Sequence, residues 1–224
     1  EKVELSYESV GAKDAPVVLL CHALTGNQFA IGTDEADGWW SGLAGPGKGI
    51  DTDCFRVITF NALGGCSGSS GPVSINPVTG IQYRSSFPAI TIRDIVHAEK
   101  QALLKLGIER LHAVIGGSLG GMRVLEWGLL YPTDMNLLIP LAVTSSLSDT
   151  GIAFNYIGIH AIETDSRFND GNYEKSSDIK GLETARMAGL VTYRSETLHR
   201  ERFSRGKKKD GTFEIESYLK YQGT

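Results

Sequence analysis

Apolar and polar positions along the first part of the chain predict the strands and helices of an α/β fold. An uninterrupted apolar run, typical of a strand buried on both faces of a parallel sheet, lies at 17–21, and further mainly apolar runs that predict strands lie at 55–60, 111–115 and 137–143. Residues Val3 to Ser9 alternate apolar and polar positions, which predicts an edge strand.

Between these runs, apolar residues recur at helical spacing. One stripe begins after Thr91, which forms a capping-box pattern with Asp94, and it ends near Gly107, a residue type common just beyond helix ends. The members of this stripe are Ile92, Ile95, Val96, Ala102, Leu103 and Leu106. A second helical stretch follows the run at 111–115. The order strand, strand, helix, strand, helix, strand predicts a mostly parallel sheet with right-handed crossovers.

The pattern changes after Ser148. Ile152 to Ile162 and Gly181 to Thr192 have helical spacing, whereas the polar segments SRFNDGNYEKSSD (166–178) and SRGKKKDG (204–211) predict loops. No further apolar strand alternates with these helices. We therefore divide the chain into a sheet-containing core at 1–149 and an incomplete helical insertion at 150–224, which is expected to form a lid over the carboxyl edge of the sheet.

Two segments that follow predicted strands are rich in glycine. Gly32 to Asp53 has little periodicity, which predicts a long surface loop. Asn61 to Gly71 resembles a nucleotide-binding loop only in its composition, because neither glycine pattern of such loops can be aligned with it. We interpret Asn61 to Gly71 as a tight loop near the functional site.

Leu111 to Tyr131 contains the most informative motif of the chain. It predicts a strand, a sharp turn with the pattern G-x-S-x-G, and a helix, which together form a nucleophile elbow centred on Ser118. Glycines at such a turn avoid clashes with the neighbouring strand and helix, and the serine lies at a helix N-terminus. The alternative interpretation is an ordinary glycine-rich connection between a strand and a helix.

Two backbone N–H groups are candidates for an oxyanion hole beside this serine. One belongs to Leu119, which follows the candidate nucleophile in the chain. The other belongs to Leu24, in the loop that follows the apolar run at 17–21. These two groups would stabilise the negative charge of a tetrahedral intermediate formed at Ser118.

Composition narrows the classes of function. The formal net charge of -4 and the isoelectric point near 5.8 argue against general nucleic-acid binding. The basic cluster Arg205 to Lys209 is interpreted as a solvated loop. Three cysteines, Cys21, Cys54 and Cys66, are too few for a disulfide framework and favour a reducing, cytoplasmic setting. No apolar run has the length of a transmembrane helix, so no association with a membrane is expected.

Several motifs in one order carry a family resemblance. They are HALTGN (22–27), GWW (38–40), GPGKGIDTD (45–53), N-x-LGGCSGSSGP (61–72), FPAITIRD (87–94), GGSLGGM (116–122), LEW (125–127), GLETAR (181–186), TYRS (192–195) and ESYLKYQG (216–223). With these motifs the chain resembles the homoserine O-acetyltransferase family of α/β-hydrolase-fold acyltransferases. The resemblance runs nearly from end to end and implies an α/β-hydrolase fold with a helical lid.

The resemblance also implies a chemistry. Ser118 would attack the thioester of acetyl-CoA, and the acetyl-serine would pass its acetyl group to the hydroxyl of L-homoserine in a step of methionine biosynthesis. Acetyl-CoA is thus a substrate, and neither a metal nor a bound cofactor is expected. A lid would keep water from the acyl-serine. In this family the lid helices pair two subunits, so a homodimer is expected.

The catalytic base is the missing part of this picture. In this fold an acid and then a histidine follow the serine along the chain. His22, His97 and His112 precede Ser118, while His160 and His199 lie in the predicted lid, where a surface or interface role is the simpler interpretation. Asp149 is a weak candidate for the acid. From the resemblance, the catalytic Asp and His are expected beyond Thr224, together with the C-terminal part of the fold.

Two positions depart from the usual motif residues of the family. Leu119 replaces the usual methionine, and Arg123 on the elbow helix replaces the usual glutamine, facing either solvent or a neighbouring element.

Several functions stay open. A succinyl donor or a serine-like acceptor fits the same family. An esterase of the same fold and a non-catalytic interaction protein are the alternatives from other classes.

Overall fold

The computed structural model describes residues 2–224, which form two compact units. The first unit extends to Ser145, and the second comprises Ser146–Thr224. None of the helices described is long and apolar enough to cross a membrane.

The first unit contains a five-stranded sheet. Its strands are β1 (Tyr7–Val10), β2 (Val17–Cys21), β5 (Arg56–Phe60), β6 (Leu111–Gly117) and β7 (Met135–Leu141). Two short strands, β3 (Ala44–Gly45) and β4 (Ile50–Asp51), form a separate pair. The large sheet has the order β1-β5-β2-β6-β7, with β1 antiparallel to β5 and the other pairs parallel. This arrangement confirms the predicted mostly parallel sheet, and it places the central strands β2 and β6 side by side.

Two helices of the first unit pack against one face of this sheet. They are α1 (Ile92–Lys105) and α2 (Leu119–Leu130). The predicted start of α1 is confirmed, because the Thr91 hydroxyl accepts from the Asp94 N–H and the Asp94 carboxylate accepts from the Thr91 N–H at 2.8 Å. Gly107 follows the helix with φ of +75°, as a terminating glycine does.

Side chains of the buried strand β2 alternate between two apolar clusters. Leu19 and Cys21 pack with residues of α1 and α2, including Val96 and Trp127. Val18 and Leu20 point to the other face. There they contact Ala30, Ala44 and Ile50, with Trp39 and Trp40 packed against the cluster.

Gly32 to Asp53 is therefore not only a surface loop, as predicted. It contains β3 and β4, and Ala44 and Ile50 are buried against the sheet. The indole N–H of Trp39 also donates to the carbonyl of Asn27 at 3.0 Å. The segment lacks periodicity because it covers the sheet with isolated buried residues rather than with one long helix or strand.

The prediction that 137–143 is a buried strand was wrong about burial. The strand forms at Met135–Leu141 and pairs with β6, but Leu137, Leu138, Ile139 and Leu141 are 38% to 50% exposed. The reason is its position, because β7 is an edge strand within residues 2–224. The edge strand predicted at Val3 to Ser9 forms later in the chain, at Tyr7–Val10.

The second unit is helical. It contains α3 (Asp149–Glu163), α4 (Lys180–Thr192), α5 (Glu196–Phe203) and α6 (Glu214–Gly223). Helices α3 and α4 correspond to the two predicted stretches, whereas no bounds were predicted for α5 and α6. Gly181 allows α4 to lie directly on α3, because a Cβ there would stand 1.9 Å from the carbonyl oxygen of Ala161.

Candidate active site

Ser118 occupies a strained turn between β6 and α2. Its backbone has φ of 56° and ψ of -120°, which is an unfavourable conformation for a residue with a side chain. The turn is fixed on both sides. The Ser118 N–H donates to the Leu141 carbonyl at 3.1 Å, and the Ser118 carbonyl accepts from the Met122 N–H at 3.0 Å. The side chain is exposed. These features are those of a nucleophile elbow.

The glycines of the motif are required by close backbone contacts. A Cβ on Gly116 would lie 2.6 Å from the backbone of Gly120, and a Cβ on Gly120 would lie 2.0 Å from the carbonyl oxygen of Cys21. Gly121 is also constrained, since its Cβ would be 2.8 Å from Val143. The first turn of α2 therefore rests directly on the ends of β2 and β6.

The predicted oxyanion donors lie at the ends of neighbouring strands. Cys21 of β2 pairs with Gly116 of β6, so the loop containing Leu24 and the turn containing Leu119 leave the same edge of the sheet. Within residues 2–224, neither of these two backbone N–H groups has a hydrogen-bond partner. Both are thus available to an oxygen that develops negative charge beside Ser118.

His22 is buried at the start of the Leu24 loop and connects it to the loop after β5. Its Nδ1 lies 2.7 Å from the carbonyl oxygen of Ala23, and its Nε2 lies 3.0 Å from the amide nitrogen of Ala62. An amide can only donate, so Nε2 accepts, and the proton of the ring is on Nδ1. Burial, followed by the charge of Arg123, lowers the pKa of His22 to about 4. The sequence interpretation of His22 as loop scaffold is consistent with these contacts.

Arg123 is buried beneath the elbow, not exposed to solvent. It is fully buried with Glu99 of α1, and its Nη2 donates to a Glu99 oxygen. The indole N–H of Trp127 donates to the other oxygen of Glu99 at 2.9 Å. Glu99 was not among the functional residues predicted from the sequence. Glu99 follows Val96 by three residues, so it lies on the same buried stripe of α1. This helical spacing was the signal in the sequence that could have identified it.

No catalytic base contacts Ser118 within residues 2–224. His97 lies 2.7 Å from the Tyr131 hydroxyl, and the His112 ring packs on Phe55. In the second unit, the rings of His160 and His199 stack on Tyr156 and Phe203, and Asp149 is the first residue of α3. The same residues contain no cluster of His, Cys, Asp and Glu side chains that could hold a metal ion.

Comparisons with known proteins agree with this geometry. Residues 16–220 match the α/β hydrolase fold family. A homoserine O-succinyltransferase from Litchfieldella anticariensis is 45% identical over the whole of this chain. Among solved structures, a homoserine O-acetyltransferase from Bacillus anthracis has a TM-score of 0.89 and 29% identity, covering 99% of this chain and 65% of that one. Esterase E22 has a TM-score of 0.85 and 28% identity, covering 99% and 67%.

The chain is shorter than these relatives. It spans 61% of the length of the Litchfieldella anticariensis protein and 62% of a second homoserine O-succinyltransferase, from Alkalilimnicola ehrlichii, to which it is 43% identical over 98% of its own length.

Proposed function

The chain belongs to the α/β hydrolase fold family, and because its curated relatives at 43% to 45% identity are homoserine O-succinyltransferases, we propose that it transfers an acyl group from an acyl-CoA to the hydroxyl of L-homoserine. The observation that carries this proposal is the elbow. Ser118 is exposed, strained and placed at a helix N-terminus, which is the geometry of a nucleophile rather than of a structural turn.

The proposed reaction has two steps. In the first, the Ser118 oxygen attacks the thioester carbonyl, the Leu24 and Leu119 N–H groups bind the oxyanion, and CoA leaves as its thiol once the bond to sulfur breaks. In the second, the homoserine hydroxyl attacks the acyl-serine, and Ser118 is released with its proton restored. Both steps need a general base, and we propose that a histidine with its acid partner, both following Thr224 in the chain order of this fold, supplies it.

The acyl donor is proposed to be succinyl-CoA. The family resemblance alone led to acetyl-CoA, but the relatives with the higher sequence identity are named as succinyltransferases, whereas the acetyltransferase from Bacillus anthracis is 29% identical. Purified full chain should therefore have a higher kcat/KM for succinyl-CoA than for acetyl-CoA when homoserine is saturating. A preference for acetyl-CoA would reverse the assignment of the donor and leave the transfer reaction unchanged.

Ester hydrolysis is the second candidate, and the likeness to esterase E22 favours it. The two reactions differ in their need for an acceptor. A transferase releases more than one equivalent of CoA per chain only when homoserine is present, because the acyl-serine otherwise persists, whereas an esterase continues to release CoA with water alone. Continued CoA release from the full chain, measured with and without homoserine, separates them, and acceptor-independent release well beyond one equivalent per chain would contradict the transferase proposal.

The second unit is proposed to act as the lid and as the contact between two subunits. Its support is an apolar surface on α3, where the exposed fractions of Ile152, Tyr156, Ile157 and Ile159 are 50% to 63%. Apolar residues clustered on one exposed helix commonly mark a protein interface. The three cysteines are free thiols, which fits the cytoplasmic location that we propose.

A further inference from the structure

A buried carboxylate on the edge strand β1 binds a loop segment of the first unit. Glu8 is only 8% exposed, and its side chain accepts from three consecutive backbone N–H groups. One carboxylate oxygen accepts from Ala30 at 2.9 Å and from Ile31 at 3.0 Å, and the other accepts from Gly32 at 2.9 Å. Hydrogen bonds to a carboxylate are stronger than those between neutral groups. Glu8 therefore ties these three residues to β1.

The carbonyl groups of the same segment are bonded as well. The backbone N–H groups of residues 38–40 donate to the carbonyls of residues 29–31 at 2.8 to 3.2 Å. The indole N–H of Trp39 donates to the Asn27 carbonyl at 3.0 Å. All of these bonds would have to break before the segment could move. We call residues 27–32 the clamped segment.

The turn that carries the Leu24 N–H leads directly into the clamped segment. The Gly26 N–H donates to the Ala23 carbonyl at 2.9 Å and closes a turn in which Leu24 is the second residue. On its N-terminal side the turn follows His22, which is buried and bonded to the loop after β5. The Leu24 N–H donates to no atom of residues 2–224, so its direction is set by what holds the two ends of the turn.

We infer that Glu8 is a positioning residue for the oxyanion hole: by binding residues 30–32 it fixes the C-terminal end of the turn, and thereby the direction of the Leu24 N–H. Trp39 acts on the same end through the Asn27 carbonyl. An oxyanion donor contributes only when it is aimed at the position that the oxyanion occupies. The inference rests on the proposed function, in which Leu24 is such a donor.

The chemistry of Glu8 supports this role over simple packing. Burying a carboxylate carries a desolvation cost, which an apolar side chain at the same position of β1 would not have. A carboxylate, however, can accept several N–H groups at once, and it thereby fixes the direction of a backbone as well as its distance. An apolar side chain could cover Ala30, but it could not orient the three amides.

The first test is hydrogen exchange of single amides, measured by NMR in the full chain of the wild type and of Glu8→Ala. The Gly26 N–H is the reporter, because it closes the Leu24 turn and has no direct bond to Glu8. We expect it to exchange at least about tenfold faster in Glu8→Ala, while the amides of β6 keep their wild-type rates. An unchanged Gly26 rate, or an increase no larger than that in β6, would overturn the proposal.

The second test is the single-turnover rate of Ser118 acylation at saturating succinyl-CoA. Removing an oxyanion donor costs about 10²- to 10³-fold, so displacing one in Glu8→Ala should slow acylation about tenfold or more. The half-saturating acyl-CoA concentration should stay within about twofold, since the donor acts in the transition state. A smaller folded fraction would lower the amplitude instead of the rate. Glu8→Gln keeps one acceptor oxygen and should recover part of the rate.

The two tests separate this inference from the proposed function. An unchanged acylation rate despite faster Gly26 exchange would contradict the role of Glu8 in the oxyanion hole. A wild-type chain that forms no acyl-serine would contradict the proposed function instead. In that case the exchange measurement, which needs no turnover, still decides whether Glu8 fixes the turn.

A second carboxylate supplies the matched control. Asp51 accepts from the backbone N–H groups of Gly47 at 2.8 Å and Asp53 at 2.9 Å, in the segment that contains β3 and β4. Asp51→Ala should speed exchange within residues 47–53 and leave Gly26 exchange and acylation at their wild-type rates. If Asp51→Ala accelerated Gly26 exchange as much as Glu8→Ala, the effect would not be specific to Glu8 and the inference would be wrong.

Trp39→Phe provides the test if Glu8→Ala does not fold. It removes the indole N–H that donates to Asn27 and keeps an aromatic ring. The neighbouring ring of Trp40 lies 4.9 Å away between centroids, and its indole donates to no atom of residues 2–224, so Trp40→Phe is the control. Gly26 should exchange faster in Trp39→Phe than in Trp40→Phe. Equal rates in the two variants would then refute the positioning role.

Discussion

Individual residues at the elbow show why its glycines and its serine belong to one structural unit. Ser118 has a positive φ because Gly116 and Gly120 let the strand and the helix approach within contact of β2. The motif therefore encodes a steric requirement, and the sequence alone reveals it. Burial of Arg123 with Glu99 could not be inferred in the same way, because a polar residue on an apolar helix face is recognised as buried only when its partner is known.

Substitution of Gly120 by alanine should collapse the elbow. Its new methyl group would stand 2.0 Å from the Cys21 oxygen and 2.7 Å from the Cys21 carbonyl carbon, and neither backbone atom can move aside. We expect a loss of about 3 kcal/mol in the free energy of unfolding, at the upper end for overpacked sites. Denaturant unfolding measures this loss.

Gly117 supplies the matched control for that substitution. A Cβ at Gly117 would be 3.7 Å from the Leu141 oxygen, an ordinary contact, so Gly117→Ala should change stability by less than about 1 kcal/mol. Equal effects of the two substitutions would show that crowding at Gly120 is not what fixes the turn.

His22 should make stability depend on pH. Its pKa is about 4 in the folded chain and 6.5 as a free side chain, so the unfolded state takes up the proton first as the pH falls. The contribution is therefore fully present above pH 6.5 and is lost progressively as the pH falls to about 4, amounting to about 3 kcal/mol. Urea unfolding of the wild type and of His22→Gln should show this slope in the wild type only. The same slope in both proteins would mean that other groups cause it.

Secondary-structure elements were predictable where the signal was local. Strand β2 is one uninterrupted apolar run, and it forms as expected. Helix α1 has apolar residues at helical spacing and a capping box, and it also forms as expected. No bounds were predicted for helix α5 because it is short, polar and without an apolar stripe, although Ser195 caps it by accepting from the Leu198 N–H at 3.2 Å. Burial of β7 could not be predicted from its composition, since burial depends on what lies beside the strand.

Helix α3 should mediate association if the second unit pairs two subunits. A charge in place of Ile157, which is 50% exposed, would be buried without a partner in such an interface. Ile157→Glu is expected to weaken the dimer at least about tenfold, which corresponds to 1.4 kcal/mol. Light scattering across a concentration series measures this change, with the exposed neighbour Asn155→Glu as the control. An unchanged dimer dissociation constant in Ile157→Glu, or a wild type that is monomeric at every concentration of the series, would contradict a role of α3 in dimerisation.

At the scale of the whole molecule, residues 2–224 provide the proposed nucleophile and two candidate oxyanion donors but no histidine bonded to that serine. The chain covers 61% of the length of its curated relative from Litchfieldella anticariensis. The sequence alone was sufficient to find the serine, since the elbow is continuous in the chain. A triad assembled from distant segments is not detectable from a local pattern.

The central claim is that Ser118 carries the acyl group. It is tested most directly by intact mass spectrometry of the full chain after brief exposure to succinyl-CoA or acetyl-CoA without homoserine, followed by peptide mapping. We predict one added acyl group on Ser118, its loss on addition of homoserine, and no adduct in Ser118→Ala. An adduct of equal yield in Ser118→Ala, or acyl transfer to homoserine that persists in that variant, would contradict the account.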